Sequence, residues 1–288
     1  MRTLVLADRN GAELAPLTNA RPVPLLPIGG RALIEHALIA LADRGVREAT
    51  VVGGKHCDAL SERLGDGTRF GMVLTVQPDA PRNTGADHDP FLLVRGDMLW
   101  HPDALASALW SAAGSPPTPR QIASGVVMAS RASLRGQPLA FDLVVENRAA
   151  ADQSCPSSAL LSLREFHTVA LDAIAGRYGL ELAGQPSAEG VLAGRGASFE
   201  TISPPGRGVQ VGEFAKVHRR AVLGHRVAIG DRTVVDDGTR VEDTVVLADT
   251  YLGAGLSVRH AIVDGSTLIR VDTGAITRIK DTAILAAR

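Results

Sequence analysis

Residues 2–45 read RTLVLADRNGAELAPLTNARPVPLLPIGGRALIEHALIALADRG, and this stretch decides the fold class of the first part of the chain. Thr3 to Ala7 is a short apolar run suited to a buried strand. Arg31 to Arg44 places Leu33, Ala37, Leu38 and Leu41 on one helical face, and Gly45 follows as a stop. Between strand and helix lies a glycine-bearing turn and a proline-rich segment in which Pro22 and Pro24 bracket Val23. The same grammar continues outward, with strands expected at Ala49–Val52, Met72–Val76 and Phe91–Val94 and a helix at Cys57–Leu64. Helices spaced between short apolar strands predict βαβ units and a mostly parallel, Rossmann-like α/β sheet. Ligands of such sheets sit beyond the carboxyl ends of the strands, where Ala7-Asp8 and Gly96-Asp97 fall.

Beyond Trp100 the pattern weakens. Ala104–Ala113 reads as a helix, Gly125–Ala129 and Phe141–Glu146 as strands, Asn147–Ser158 as a loop, and Leu160–Leu182 as one helix or two short ones. From residue 209 the periodicity changes. Val211, Val217, Leu223, Ile229, Val235, Val241 and Leu247 each stand six residues after the last. Neither a helix nor an alternating strand has that period. Hexapeptide repeats coiling into a left-handed β-helix do, since each side of the coil turns one aliphatic residue inward. The spacing slips to five at Leu252, and the segment is long enough for about four coils. The expected division is an α/β domain over 1–205 and a β-helix over 209–288. Val227, Val245, Val246 and Tyr251 are read as exposed on the coil faces, an apolar surface for a second copy (a homo-oligomer) or for the chain's own first domain.

Composition limits the partners. The 288 residues carry 30 Lys+Arg against 31 Asp+Glu, a net charge of -1 without a basic block, so nucleic acid is not the expected partner. Cys57 and Cys155 lie far apart and form no metal-type or redox pair. No apolar run approaches membrane-spanning length and the first residues lack a signal-peptide pattern, so a cytoplasmic protein is expected. The histidines are scattered, and His218, His225 and His260 read as coil-surface residues.

The layout of an α/β nucleotide domain followed by hexapeptide coils resembles the sugar-phosphate nucleotidyltransferases. In that family the first loop reads L-A-A-G-x-G-T-R-L-x-P-L-T-x-x-x-P-K-P-L-L-P-I. This chain matches at Leu6, Ala7, Gly11, Leu14, Pro16, Leu17, Thr18, Pro22 and Pro24–Ile28. GTRFGMVLTVQP (67–78) resembles the strand whose glutamine helps to read the nucleobase, here Gln77. FLLVRGDML (91–99) resembles the strand ending in Gly-Asp whose aspartate, here Asp97, holds Mg²⁺. The last coils resemble those of relatives associated with exopolysaccharide synthesis.

The resemblance implies an NTP or nucleotide sugar as ligand, with Ala7, Gly11, Gln77, Thr84 and Gly85 as nucleotide-binding positions. It implies transfer of a nucleoside monophosphate to a sugar 1-phosphate, chemistry done mainly by positioning and charge neutralisation. The departures fall on the charges. The family's first loop glycine is Arg9, its pyrophosphate-gripping arginine is Glu13, and its lysine is Val23. Losing a cationic clamp on a triphosphate commonly costs orders of magnitude in rate. Arg9 is a candidate replacement cation. The alternative for Asp97 is to cap a helix starting near Pro102 or to hydrogen-bond a turn. The second metal-binding aspartate of the family has no counterpart that can be placed, and Asp142 has no motif around it.

The expected function is that of a catalytically degenerate relative, in sugar-nucleotide or exopolysaccharide metabolism, that binds a nucleotide sugar or a pathway protein. The alternative is an active Mg²⁺-dependent sugar-1-phosphate nucleotidyltransferase. A hexapeptide acyltransferase lacks a supporting catalytic histidine. Glu13→Arg with Val23→Lys is expected to tighten triphosphate binding if the degenerate reading holds.

Overall fold

The computed structural model describes residues 2–80, 90–103, 120–123, 125–130, 157–187 and 190–288. The expected elements at Ala104–Ala113 and Phe141–Glu146, and the candidates Thr84, Gly85 and Asp142, lie outside the described residues. The chain divides into two compact units: Met1–Leu26, Ala32–Leu161 and Tyr178–Leu180 form the first, and Pro27–Arg31, Ser162–Arg177 and Glu181–Arg288 the second.

The first unit is α/β. Its main described elements are β1 (Arg2–Leu6), α1 (Leu33–Asp43), β2 (Glu48–Val52), α2 (Cys57–Leu64), β3 (Val73–Gln77), β4 (Pro90–Arg95), β5 (Arg120–Ala123) and β6 (Val126–Ser130), beside short 3-10 turns and a two-stranded pair of Leu99–Trp100 with Ser157–Ser158. The sheet order is β3-β2-β1-β4-β6-β5. The first four strands are parallel, and β6 pairs antiparallel with both β4 and β5. The strands are apolar on both faces because both faces are covered. Val5, Val51, Leu92 and Val94 face α1 and α2 through Ile34, Leu38, Leu41, Leu60 and Leu64. Leu4, Leu6, Val52, Phe91, Leu93 and Val127 form a second cluster on the other face.

In the second unit, α3 (Leu163–Ile174) precedes the coils. It starts at Ser162, whose Oγ accepts the Glu165 N–H at 3.1 Å. The coils are built from β7 (Val209–Val211), β8 (Lys216–Val217), β9 (Val222–Leu223), β10 (Val227–Ile229), β11 (Val234–Val235), β12 (Arg240–Val246), β13 (Thr250–Leu252) and β14 (Ser257–Asp264). They stack in three parallel ladders: β7-β10-β12-β14, β8-β11-β13 and β9-β12-β14. Each ladder is one side of the coil, so residues one turn apart in the chain become neighbours.

The registers explain the hexapeptide series and correct its end. Val211 faces Ile229, Val217 faces Val235 and Leu223 faces Val241, each 18 residues on. Afterwards Ile229 faces Val246, Val235 faces Leu252 and Val241 faces Val258, each 17 on. The corner that Gly224 and His225 make in one coil is made by Glu242 alone in the next, before the stacked left-handed residues Arg226 and Asp243 (φ 55 and 43). The inward position therefore passes from Leu247, where strict period six would put it, to Val246, a member of the coil core. The stack also takes in Leu192–Ala193, which pairs parallel with Gln210–Val211. At its other end the chain reverses: Thr267–Arg270 pairs antiparallel with β14, and Leu285–Ala287 with β13. Parallel coils thus stop at Asp264, short of the four expected within 209–288, and the antiparallel tail covers edges that would otherwise stay open.

The expected sticky face is not a surface. Val227, Val245 and Val246 are 0%, 3% and 1% exposed. Val227 and Val246 point into the coil core. Val245 belongs to the outward row Ala228-Val245-Ile262, on strands against which α3 packs. Tyr251 is half-buried and its hydroxyl donates to Asp236 at 2.7 Å. Alternate residues of a coil side face outward only until a helix lies over them.

That helix is seated partly by His167, buried, whose Nε2–H donates to the Asp243 carbonyl at 2.8 Å. Burial holds its pKa below the ordinary 6.5, against the opposing pull of Asp243. A depressed folded pKa means that protons bind the unfolded chain more readily. Stability is therefore complete above pH 6.5 and declines as the pH falls through 6.5 toward the folded value. The wild type is expected to lose more Tm between pH 7.5 and 5.5 than His167→Gln, whose amide keeps the donor. Equal losses in thermal melts of the two proteins would refute this.

Candidate functional site

The carboxyl ends of β1, β2, β3 and β4 carry the sequence-predicted site. Ala7 follows β1, fully buried, and its N–H donates to the Val52 carbonyl at 2.8 Å. The loop then turns at Gly11 with φ 70, a conformation that disfavours any side chain. Thr18 Oγ1 donates to the Gly11 carbonyl at 2.7 Å, while Leu14, Leu17 and Leu26 are wholly buried. The motif residues that this chain retains are thus the ones that hold the loop in place.

The replaced positions are absorbed into the protein. Val23 is 0% exposed, and a Cβ on Gly11 would collide with its Cγ2, so Val23 and Gly11 are packed together. Glu13 is exposed and sits 3.3 Å from Arg9 Nε. The Arg9 guanidinium also donates to the carbonyls of Ala159 and Leu160, the latter at 3.2 Å. Its side chain is 8% exposed. Arg9 is therefore turned into the unit, and it does not stand in the loop as a replacement clamp.

Asp97 and a residue without an assigned role meet next to β1. Arg95 ends β4, and both Arg95 and Asp97 are 0% exposed. Arg95 Nε donates to Asp97 Oδ1 at 2.8 Å and a terminal nitrogen donates to Oδ2, a two-point pair. The other terminal nitrogen reaches Asp8 Oδ1 at 3.3 Å. A Cβ on Gly96 would come within 2.8 Å of Val5 and 2.9 Å of Ile34, so only glycine lets the strand end lie this close to β1 and α1. The signal for Arg95 was present in the sequence. An arginine closing an apolar strand is not buried without an anion, and Asp97 is two residues away on the same side.

Gln77 ends β3 half-buried, and its Nε2 donates to the Asp79 carbonyl at 2.7 Å. It is thus at a strand end of the same sheet, with its amide engaged locally. After β2, exposed Lys55 donates to Asn10 Oδ1 at 2.6 Å, across the first loop. Burial, and then the Lys55 charge, hold the His56 imidazole below its ordinary range. Neither residue was singled out for this role in the sequence, because nothing local marks a lysine as facing a loop 45 residues earlier. For Mg²⁺ the fit fails: Asp97 is enclosed and already paired, and among the described residues no group of three His, Cys, Asp or Glu side chains could hold a metal.

Residues 2–89 match the family model described as Nucleotidyl transferase, and residues 207–288 match the GMPPB C-terminal domain. A CMP-5'-(3-aminopropyl)phosphonate synthase of Streptomyces rubellomurinus is 31% identical over 44% of this chain and 22% of its own. A glucose-1-phosphate thymidylyltransferase of Streptomyces griseus is 29% identical over 36% and 28%. An N-acetylmuramate alpha-1-phosphate uridylyltransferase of Neisseria meningitidis serogroup B is 29% identical over 37% and 51%. The chain thus spans about half or less of the length of these relatives. The chain is thus similar to sugar-phosphate nucleotidyltransferases in two segments, residues 2–89 and 207–288, in this order.

Proposed function

We propose that this protein is a catalytically degenerate nucleotidyltransferase that binds a nucleotide or nucleotide sugar at the carboxyl ends of β1–β4. It would serve sugar-nucleotide or exopolysaccharide metabolism in the cytoplasm, alone or with a pathway protein. The observation that carries this reading is the fate of the two charge positions: Glu13 pairs with Arg9, and Val23 is packed on Gly11 without solvent contact. An anionic ligand would meet Lys55, whose partner is a neutral amide, so that its charge remains available. The activities named for the relatives favour the other reading, active transfer from an NTP to a sugar 1-phosphate. The domain division at 205–209 and a left-handed β-helix belong to the same proposal, supported by three parallel ladders and registers of 18 and 17 residues.

Thermal shift against NTPs and nucleotide sugars, run beside a pyrophosphate-release assay with sugar 1-phosphates, separates the readings. The expected result is a raised Tm with at least one nucleotide and no pyrophosphate release. Steady turnover by the unmodified protein would sink the degenerate reading. Lys55→Ala is expected to weaken the nucleotide shift without lowering the Tm of the free protein.

A further inference from the structure

At the end of β4 one guanidinium of the chain itself meets two of its carboxylates. The Arg95 guanidinium directs three donors at two carboxylates, two at Asp97 and one at Asp8, and is fully buried while doing so. Burying a guanidinium is costly unless its donors are met, and here the planar fork of arginine matches the carboxylate edge. Gly96 fixes this geometry, because the backbone between the partners lies against Val5 and Ile34.

A divalent metal needs something different from the same aspartate. Mg²⁺ requires near-octahedral oxygen ligands and keeps several of its waters. Asp97 is 0% exposed, so it offers no room for a hydrated ion, and both its oxygens accept from a cation. An ion bound to either oxygen would stand beside a guanidinium of like charge.

We infer that Arg95 is a built-in cation that takes the place of a divalent metal at Asp97, so that nucleotide is bound here without Mg²⁺. The second clause rests on the nucleotide reading above, and the first stands without it.

The test uses the full chain and Mn²⁺ alone as probe, with free Mn²⁺ counted by electron paramagnetic resonance. The wild type is expected to bind no stoichiometric Mn²⁺. Arg95→Asn should gain a site at least tenfold tighter than any in the wild type, and Arg95→Asn with Asp97→Asn should lose it. If Arg95→Asn does not fold, the wild-type titration and its Asp97→Asn control decide alone. Stoichiometric Mn²⁺ on the wild type that Asp97→Asn removes would overturn the proposal, as would a folded Arg95→Asn that gains none. In a parallel arm, the nucleotide-induced Tm shift should be equal in Mg²⁺ and in EDTA. Absence of any nucleotide shift would count against the nucleotide reading and leave the Mn²⁺ result to stand on its own.

Discussion

Val23→Lys is expected to destabilise the first unit by about 3–5 kcal/mol, or to prevent its folding, and to bring no gain in triphosphate binding. From sequence alone, the same change together with Glu13→Arg is expected to restore a phosphate clamp. Packing reverses that expectation. Position 23 is 0% exposed and its side chain lies on Gly11, which cannot retreat because φ 70 and the Thr18 hydrogen bond hold it. A lysine there loses the valine contacts and leaves its ammonium desolvated. Glu13→Arg acts more mildly, since it places a second cation near Arg9 on an exposed side chain. Urea denaturation of the single variants measures this. A Val23→Lys protein within 1 kcal/mol of wild type, with tighter NTP binding, would show that the loop opens to admit the lysine.

Arg95→Met should cost about 3–5 kcal/mol, because it leaves Asp97 buried without a partner. Arg95→Met combined with Asp97→Leu should recover most of that loss, since removing both charges leaves no unpaired ion. Asp8, 40% exposed, is not expected to couple strongly, because water already reaches it. A double-mutant cycle by denaturation gives the coupling. Strictly additive losses would mean that the pair is not the source of its own stability. The outcome also bears on Gly-Asp as a motif. In this chain the pair is part of the core, whatever its relatives use it for.

Much of the fold was legible because it depends on periods that packing cannot easily override. Short apolar runs such as TLVLA have to be buried on both faces, and Ala37, Leu38 and Leu41 of the expected helix face cover one of them, with Ile34 in place of Leu33. The six-residue series likewise identified the coil core as far as Val241. It failed at Leu247 because dropping one corner residue changes the register of everything after it, and the sequence does not mark Glu242 as a shortened corner. Leu14, Leu17 and Thr18, which match the loop pattern, hold the loop in place through burial and one hydrogen bond.

What the sequence by itself determined is the class of fold and which side chains stand at the loop positions, since these rest on periodicity and on residue identity. What only the tertiary structure decided is where the charges go. Whether Arg9 faces a ligand or the carbonyls of Ala159 and Leu160 depends on residues 150 or more positions away. Whether Asp97 is open to a metal or closed by Arg95 depends on how tightly Gly96 lets β4 approach β1 and α1. The physical reason is range. Backbone periodicity is local, whereas a charge takes the nearest partner in space, and the chain order does not record that distance.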